Sequence, residues 1–478
     1  MKKETVEEEK FHQQKYFEKK TGIEDLPKVM ILLLSHFFDS DSLINFSSTN
    51  RKYRSYFLEF RKLFSLLNKN KFFKDLKIEK NKFTERKNLL LNKEFNKLLD
   101  GNNNTPLHYA SQYDSPPFET LKYLIENKSD VNLGNRFKQI ALHWAFRNEN
   151  ISIEMIKYLV ENKSDINKKN VYNDTPLHLA FKSNQNHLEI IKYLVENKSK
   201  LNSKDNIKSS PLHWASRNER FSIETIKYLI DNKSDLNLKN EYFETPLHFA
   251  CINKKSSVIL INFLVENKCE INSESVFKNT PLHRACENDS ISIELIQCLI
   301  ENKSDLNFQN LSNDTPLHLA FKNNSISLEI IKYLIDNNSK LNLQGENRNI
   351  PLHLAFNDDT ISLEKIKFLI EKKTCLNLKN FEELTPLHLA CKHKLLSFEA
   401  IKILVENKSD LNSKCGNSFT PLHYACKNAN VSLQAIKFLV ENKSDVNSKN
   451  EFDETPIECA SYNQNISNEL RNYFEENK

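Results

Sequence analysis

Apolar and polar positions along most of this chain recur with a period of 35 residues. In the block that begins at Thr175, Leu177 and Ala180 are spaced i, i+3, and Ile190, Ile191, Leu194 and Val195 follow at i, i+1, i+4, i+5. Both spacings place apolar side chains on one face of a helix. A polar stretch rich in Lys, Asn and Ser then precedes the next block. The pattern predicts a repeated pair of short helices joined by a polar turn.

The tetrapeptide Thr-Pro-Leu-His, or a close variant of it, marks the start of each block. The starts are residues 105, 140, 175, 210, 245, 280, 315, 350, 385, 420 and 455, where the motif has become Thr-Pro-Ile-Glu. Thr is a good N-cap, and Pro suits the first helical position because it has no N–H to lose. A strict period of this length predicts an all-α solenoid of about eleven helix pairs, in which each repeat contacts its neighbours.

The repeat resembles the ankyrin repeat. The matching residues are Thr-Pro-Leu-His-x-Ala in the first helix, Glu-x-Ile-x-x-Leu in the second, and Asp-Val-Asn or Asp-Leu-Asn after it. Ankyrin repeats are 33 residues long and carry the same signature. The resemblance implies stacked helix pairs with β-turn fingers, and a role in binding proteins.

Two departures from the ankyrin pattern lead to predictions about helix ends. Extra residues fall between the two helices, where a serine is expected to cap the second helix. These serines are Ser152, Ser222, Ser292, Ser362 and Ser432. The chain also has only five glycines, and Asn-Lys follows the second helix where the family has Gly. Because Asn tolerates the left-handed region, we expect Asn162 and Asn232 to supply that conformation.

One position of the predicted finger is apolar in five successive repeats. The residues are Phe137, Tyr172, Ile207, Tyr242 and Phe277. The next four repeats are polar there, with Ser312, Asn347, Glu382 and Asn417. A row of exposed apolar side chains indicates a partner-binding surface. Packing between fingers that stabilises the stack is the alternative, and the sequence leaves both open.

A second row, of basic side chains, lies near the end of the first helix. It includes Arg147, Lys182 and Arg217, followed by Lys322, Lys392 and Lys427. This row is suited to binding an acidic partner segment. The simpler interpretation is that cations at helix C-termini complement the macrodipole, which contributes a few tenths of a kcal/mol.

The repeated motif accounts for most of the residues capable of chemistry. Ten of the fourteen histidines belong to it, so we assign them hydrogen bonds between neighbouring helix starts. Four of the nine cysteines follow the motif Ala and are predicted to be buried, reduced thiols, namely Cys251, Cys286, Cys391 and Cys426. No catalytic triad, phosphate loop or zinc motif is present. The sequence therefore predicts no enzyme activity, no metal site and no cofactor.

The net charge of +5 is unevenly distributed. Residues 1–100 contain 22 basic and 15 acidic residues, and residues 101–478 contain 46 and 48. A nearly neutral array argues against nucleic-acid binding. No window approaches the roughly 20 apolar residues of a membrane helix, and the N-terminus lacks the apolar core of a signal peptide. We expect a cytoplasmic or nuclear protein that is neither secreted nor bound to membranes.

The segment 22–60 precedes the repeats and resembles an F-box. It opens with Leu-Pro, continues as an apolar helix, breaks at Phe-Asp-Ser-Asp and ends in Asn-Arg-Lys-Tyr. The resemblance implies that it docks on a Skp-family adaptor through Leu26, Pro27, Ile31, Leu34, Phe38 and Leu43. A helical cap for the array is the alternative. We expect a charged segment at 1–21, a basic helical connector and N-terminal cap at 61–100, and the ankyrin repeat array at 101–478.

Together the two resemblances imply a non-catalytic substrate-recognition subunit of a Skp-cullin-F-box type ubiquitin ligase, with the array binding the target. The alternative is an ankyrin-repeat scaffold or adaptor without a role in ubiquitin transfer. Binding of a Skp-family protein by the N-terminal segment distinguishes the two functions. The sequence identifies neither the target protein nor the oligomeric state.

Overall fold

The computed structural model describes a large part of the predicted array. The residues described are 102–112, 118–126, 128–147, 151–183, 188–253, 258–356, 363–394, 398–430, 432–460 and 472–474. The predictions for residues 1–100, including the F-box-like segment and its six docking residues, lie outside them. The chain forms two compact units, residues 1–206 and 207–478.

Pairs of short α-helices follow one another along both units, and the described residues contain no β-strand. In the first unit the helices are α1 (Pro106–Gln112), α2 (Phe118–Glu126), α3 (Ala141–Ala145), α4 (Ile153–Glu161), α5 (Pro176–Lys182) and α6 (Leu188–Glu196). The second unit begins with α7 (Pro211–Arg217), α8 (Ile223–Asp231), α9 (Pro246–Cys251), α10 (Val258–Glu266), α11 (Pro281–Glu287), α12 (Ile293–Glu301), α13 (Pro316–Lys322) and α14 (Leu328–Asp336). It continues with a 3-10 turn (Glu346–Arg348), α15 (Pro351–Leu354), α16 (Leu363–Glu371), α17 (Pro386–Lys392), α18 (Phe398–Glu406), α19 (Pro421–Lys427), α20 (Leu433–Glu441) and α21 (Pro456–Ala460).

Within each unit, first helices pack on first helices of adjacent repeats, and second helices pack on second helices. The motif Leu of the first helix and the apolar face of the second are completely buried, as Leu212 and Leu229 illustrate. Burying such a side chain contributes about 2 kcal/mol. The core is therefore a row of small clusters between helices, as the periodicity predicted.

The motif histidine ties the start of its own helix to the next repeat. In the repeat of Thr280, the backbone N–H of Thr280 donates to Nδ1 of His283 at 3.2 Å, and Nε2 of His283 lies 3.1 Å from the carbonyl oxygen of Asp314. Since Nδ1 accepts, Nε2 carries the hydrogen and donates it. The predicted structural role of these histidines is confirmed.

The serine caps are confirmed at three of the five predicted positions. The hydroxyls of Ser152, Ser292 and Ser432 accept the backbone N–H three residues later, at 3.1, 3.4 and 3.1 Å. Ser222 stands at the start of α8, but its side chain accepts no such bond. Ser362 lies outside the described residues.

The expectation that Asn supplies the left-handed residue after the second helix is wrong. Asn162 has φ of −84° and Lys163 has φ of 67°. The Asn162 side chain instead donates to the carbonyl of Tyr158 at 2.8 Å, while the N–H groups of Lys163 and Ser164 bond the carbonyls of Val160 and Leu159. This is a Schellman ending, in which the position usually held by Gly is held by Lys. The role of Asn162 is therefore to cap a carbonyl at the end of the helix with its side-chain amide.

In several repeats the Asn of the Asp-x-Asn segment, or of the Glu-x-Asn segment that ends at Asn272, also joins adjacent repeats. Asn272 donates its amide to the carbonyl of Lys303 at 3.0 Å and accepts the N–H of Asp305 at 2.8 Å. Equivalent paired bonds are made by Asn132, Asn167, Asn237, Asn307 and Asn412. The repeats are thus held together by polar bonds at both the helix starts and the loops.

Candidate protein-binding surface

Each finger is a five-residue turn that ends just before the N-cap of the first helix. In the finger 240–244, the N–H of Asn240 bonds the carbonyl of Glu244 at 3.0 Å, and the Asn240 side chain accepts two further backbone N–H groups. The fourth residue, Phe243, has φ of 58°. Local bonds therefore fix the shape of the finger and determine which side chains are displayed.

Backbone hydrogen bonds link consecutive fingers within each unit. In the second unit, the N–H of Val276 donates to the carbonyl of Tyr242 at 2.8 Å, and the N–H of Leu311 donates to that of Phe277 at 3.0 Å. The first unit has the same bond between Val171 and Phe137, at 2.9 Å. Main-chain bonds thus hold the fingers side by side, without requiring contacts between the side chains at their tips.

Four of the five predicted finger residues are exposed. Phe137 and Tyr172 in the first unit are 43% and 52% exposed, and Tyr242 and Phe277 in the second are 46% and 56% exposed. Ile207 is half-buried. Large apolar side chains with about half their surface in water are available for partner contact.

The predicted row of five residues left out further exposed apolar residues on the fingers. Leu311 and Phe381, each one position earlier in the turn, are 60% and 75% exposed, and Phe452, at the same position as Tyr242 in the finger 450–454, is 64% exposed. Phe243, one position later than Tyr242, is 55% exposed. These residues could have been found in the sequence, because apolar residues can be sought at every position of a finger tip and not at one position only. The apolar surface of the second unit therefore extends beyond Phe277.

The cations of the second predicted row have carboxylate partners in several repeats. Lys182 lies 2.5 Å from Asp174 and 3.1 Å from Asp205, both nearly buried. Lys322 lies 2.5 Å from Asp314 and 2.6 Å from Glu346. Burial alone lowers the pKa of Lys322, but its hydrogen bonds to these two carboxylates raise it overall. The two acids beside each of these two lysines leave little positive charge there for an acidic partner.

The two arginines of the predicted site differ in their surroundings. Arg147 lies over the ring of Trp144, 5.0 Å from its centroid, and donates to Gln139 at 3.4 Å. Arg217 ends α7 and is exposed. Trp144 packs between repeats, with its ring 5.2 Å from that of Tyr109 and only 6% exposed. The structure thus brings Arg147 onto a buried ring rather than into a continuous basic surface.

The motif histidines are buried and electrically neutral at pH 7. Burial lowers the pKa from 6.5 to about 4 at His143, His248, His283, His353 and His388. Hydrogen bonds to backbone carbonyls raise the pKa of these rings, but by less than burial lowers it. These imidazoles act as neutral bridging groups in the stack.

The four motif cysteines are completely buried free thiols, as predicted. Burial raises the pKa of Cys251, Cys286, Cys391 and Cys426 above the usual range, so these thiols are protonated. In the described part of the chain, no group of three or more His, Cys, Asp or Glu side chains is placed to hold a metal ion. Nor does any helix described there have the length and apolar character needed to cross a membrane.

Comparison with known proteins supports the repeat assignment. The family model described as ankyrin repeats in three copies matches the overlapping segments 114–205, 186–275, 212–303, 247–345, 282–380, 326–415, 352–450 and 387–475. A crystal structure of the human ASB11 ankyrin repeat domain is similar over 50% of this chain and 99% of that one, with 24% sequence identity and a TM-score of 0.42. No curated protein matches the sequence.

Proposed function

The chain belongs to the ankyrin repeat family, and we propose that its fingers bind a target protein while residues 22–60 dock on a Skp-family adaptor. Ankyrin repeats mediate interactions between proteins. In this proposal the protein carries out no chemistry itself. It presents the target to a ubiquitin ligase assembled on the adaptor.

The row of exposed apolar side chains on the fingers is the observation that supports target binding most strongly. Tyr242, Phe277 and Leu311 lie on consecutive fingers, and the backbone bonds between these fingers fix their order. Aromatic side chains lose little conformational entropy on binding and contribute strongly to interfaces. A rigid row of this kind is suited to a polypeptide ligand.

Adaptor docking rests on the F-box resemblance of residues 22–60. Its apolar residues are those that the resemblance places at the adaptor interface, Leu26 and Leu43 among them. A three-helix unit of this size is rarely stable without a partner. An adaptor that covers its apolar face would stabilise it.

Binding of the full chain to a purified Skp-family adaptor tests the ligase function. We expect micromolar or tighter binding, and its loss in a Leu26→Asp, Leu43→Asp double variant. An Asn45→Asp variant adds charge at a polar position of the same segment and is the matched control. If the unmodified chain does not bind the adaptor at micromolar concentration, the scaffold function is the better account.

The finger surface is tested separately with Tyr172→Ser and Tyr242→Ser variants. Loss of target binding with an unchanged melting temperature supports recognition by the fingers. Unchanged binding with a lower melting temperature supports the packing alternative. Either result leaves the adaptor experiment unaffected, because residues 22–60 are intact in both variants.

A further inference from the structure

Three apolar residues of the second unit, Ile207, Tyr242 and Phe277, hold the same position on consecutive fingers. We call them the finger row. Tyr242 and Phe277 are about half exposed, and Ile207 is half-buried. In each finger the next residue is left-handed, with φ of 60°, 58° and 57°. The three turns therefore share one shape and present their third residues in the same way.

Backbone hydrogen bonds limit the distance between neighbouring members of the finger row. The carbonyl of Ile207 accepts the N–H of Glu241 at 2.7 Å, and the carbonyl of Tyr242 accepts the N–H of Val276 at 2.8 Å. From each donor, one further residue along the chain leads to the next member of the row. Covalent geometry then places consecutive Cα atoms of the row no more than about 10.5 Å apart.

Helix packing gives a second estimate of the same spacing. The first helices α7, α9 and α11 pack on one another in succession. The axes of packed helices lie about 8–10 Å apart. Because each finger leads directly into the first helix of its repeat, the finger row advances by a similar distance from one repeat to the next.

A polyproline II segment has the repeat distance that fits the finger row best. It has three residues per turn and advances about 9.3 Å per turn, so every third side chain lies on one face. In a β-strand, side chains on one face lie about 6.7 Å or about 13 Å apart, and neither distance matches the fingers. An α-helix returns to the same face after two turns, at about 10.5 Å, which is the upper limit set by the backbone bonds and exceeds the spacing of packed helices.

The side chains beside the finger row suit the backbone of such a segment. A polyproline II backbone makes no internal hydrogen bonds, and proline offers a carbonyl acceptor but no N–H. Lys208 and Lys278 follow Ile207 and Phe277 and are exposed, and Tyr242 carries a hydroxyl. Ammonium and hydroxyl groups donate hydrogen bonds to carbonyls. The row thus combines apolar contacts with donors for a chain that is rich in acceptors.

We propose that the finger row binds a proline-rich segment of the target protein in the polyproline II conformation. Apolar side chains at every third position of that segment contact Ile207, Tyr242 and Phe277 in turn. Because the conformation is formed before binding, the segment loses little conformational entropy. The inference rests on the proposed function of the fingers and specifies the chemistry of the target segment.

A labelled nine-residue peptide with leucine at every third position and proline elsewhere, titrated into the full chain and followed by fluorescence anisotropy, tests this proposal. We expect saturable binding. A peptide of the same composition with its three leucines adjacent points them to three different sides and should bind at least tenfold more weakly. Tyr242→Ser and Phe277→Ser should each weaken binding about tenfold. Both side chains are exposed, so the melting temperature should not change.

A Ser312→Tyr variant tests the spacing through a gain of binding, which misfolding cannot imitate. Ser312 is exposed and holds the row position on the next finger. The N–H of Leu311, just before it, bonds the carbonyl of Phe277 at 3.0 Å, so the variant extends the row to four members. A twelve-residue peptide with a fourth leucine in the same period should bind this variant about tenfold more tightly than it binds the unmodified chain.

The matched control is Phe381→Ser. Phe381 is 75% exposed, but the row position of its finger is held by Glu382. This variant should bind the nine-residue peptide as the unmodified chain does. The proposal is overturned if the unmodified chain does not bind that peptide, if the peptide with adjacent leucines binds equally well, or if Tyr242→Ser binds normally.

A fifteen-residue helical peptide with leucine at every seventh position tests the competing conformation. Tighter binding of this peptide than of the proline-rich one also overturns the proposal. Capture of the target by the Tyr172→Ser and Tyr242→Ser variants reports separately on whether the fingers bind it. A wrong conformation of the target segment and a failure of the proposed finger function are therefore distinguishable.

Discussion

Mild acid should destabilise the repeats through their motif histidines. Each ring accepts a backbone N–H at Nδ1, so a proton added there removes the bond at the start of the helix. Burial lowers the pKa of five of these rings from 6.5 to about 4. Unfolded histidines therefore take up protons below about pH 6.5, where the folded ones remain neutral. The resulting stability is complete above pH 6.5 and decreases as the pH falls toward 4.

The size of the effect follows from the difference between the two pKa values. At pH 5 the loss of unfolding free energy, relative to neutral pH, is roughly 2 kcal/mol for each ring and about 10 kcal/mol for the five together. That loss is comparable with the whole unfolding free energy of an ordinary domain. Ordinary Asp and Glu side chains remain mostly charged at pH 5, so they contribute little to the change above it.

Urea unfolding followed by far-UV circular dichroism at pH 7.5, 6.5 and 5.5 measures this dependence. We expect an uptake of about four protons on unfolding near pH 5.5. His283→Gln and His353→Gln retain a donor and an acceptor but cannot titrate, so the double variant should take up about two protons fewer. An unfolding free energy that does not change between pH 7.5 and 5.5 would refute the assignment of these rings as buried and neutral.

Three further changes test the account of the helix ends and loops. Lys233→Gly relieves a left-handed lysine with φ of 72° and should raise the unfolding free energy by about 0.5–1 kcal/mol. Lys227→Gly, inside α8, should instead lower the unfolding free energy by about 1 kcal/mol. Equal effects of the two variants in urea melts would contradict the Schellman assignment. Asn272→Ala removes both bonds to the next repeat and should cost about 2 kcal/mol, so an unchanged urea midpoint would count against the bridge. Ser304→Ala removes a buried hydroxyl that has no hydrogen-bond partner among the described residues, and a loss above about 1 kcal/mol would show that the hydroxyl is bonded.

The helix pairs were predictable because the sequence repeats their local signals. Thr175 and Pro176 mark the start of α5, and the apolar spacing after Leu188 marks α6. The role of the motif histidines followed from their recurrence alone. Such features depend on residues a few positions apart, which a sequence displays directly.

Other features depend on neighbours that only the fold brings together. Lys182 bonds Asp205, which is 23 residues away, and no local pattern indicates that a carboxylate neutralises it. Lys163, rather than Asn162, adopts the left-handed conformation, because the Asn162 side chain caps the carbonyl of Tyr158 at the end of the helix. Leu311 and Phe381 were missed because the finger was scanned at one position only. The adaptor-docking residues remain predictions, since they lie outside the described residues.

The central claim is that the fingers form the surface that contacts a partner polypeptide. A photo-reactive phenylalanine at position 277, compared with the same residue at Lys332 on the exposed side of α14, tests it most directly in cells that make the protein. We predict light-dependent cross-links to a partner protein from position 277, and none above background from position 332. Cross-links from position 332 with none from position 277 would contradict the claim.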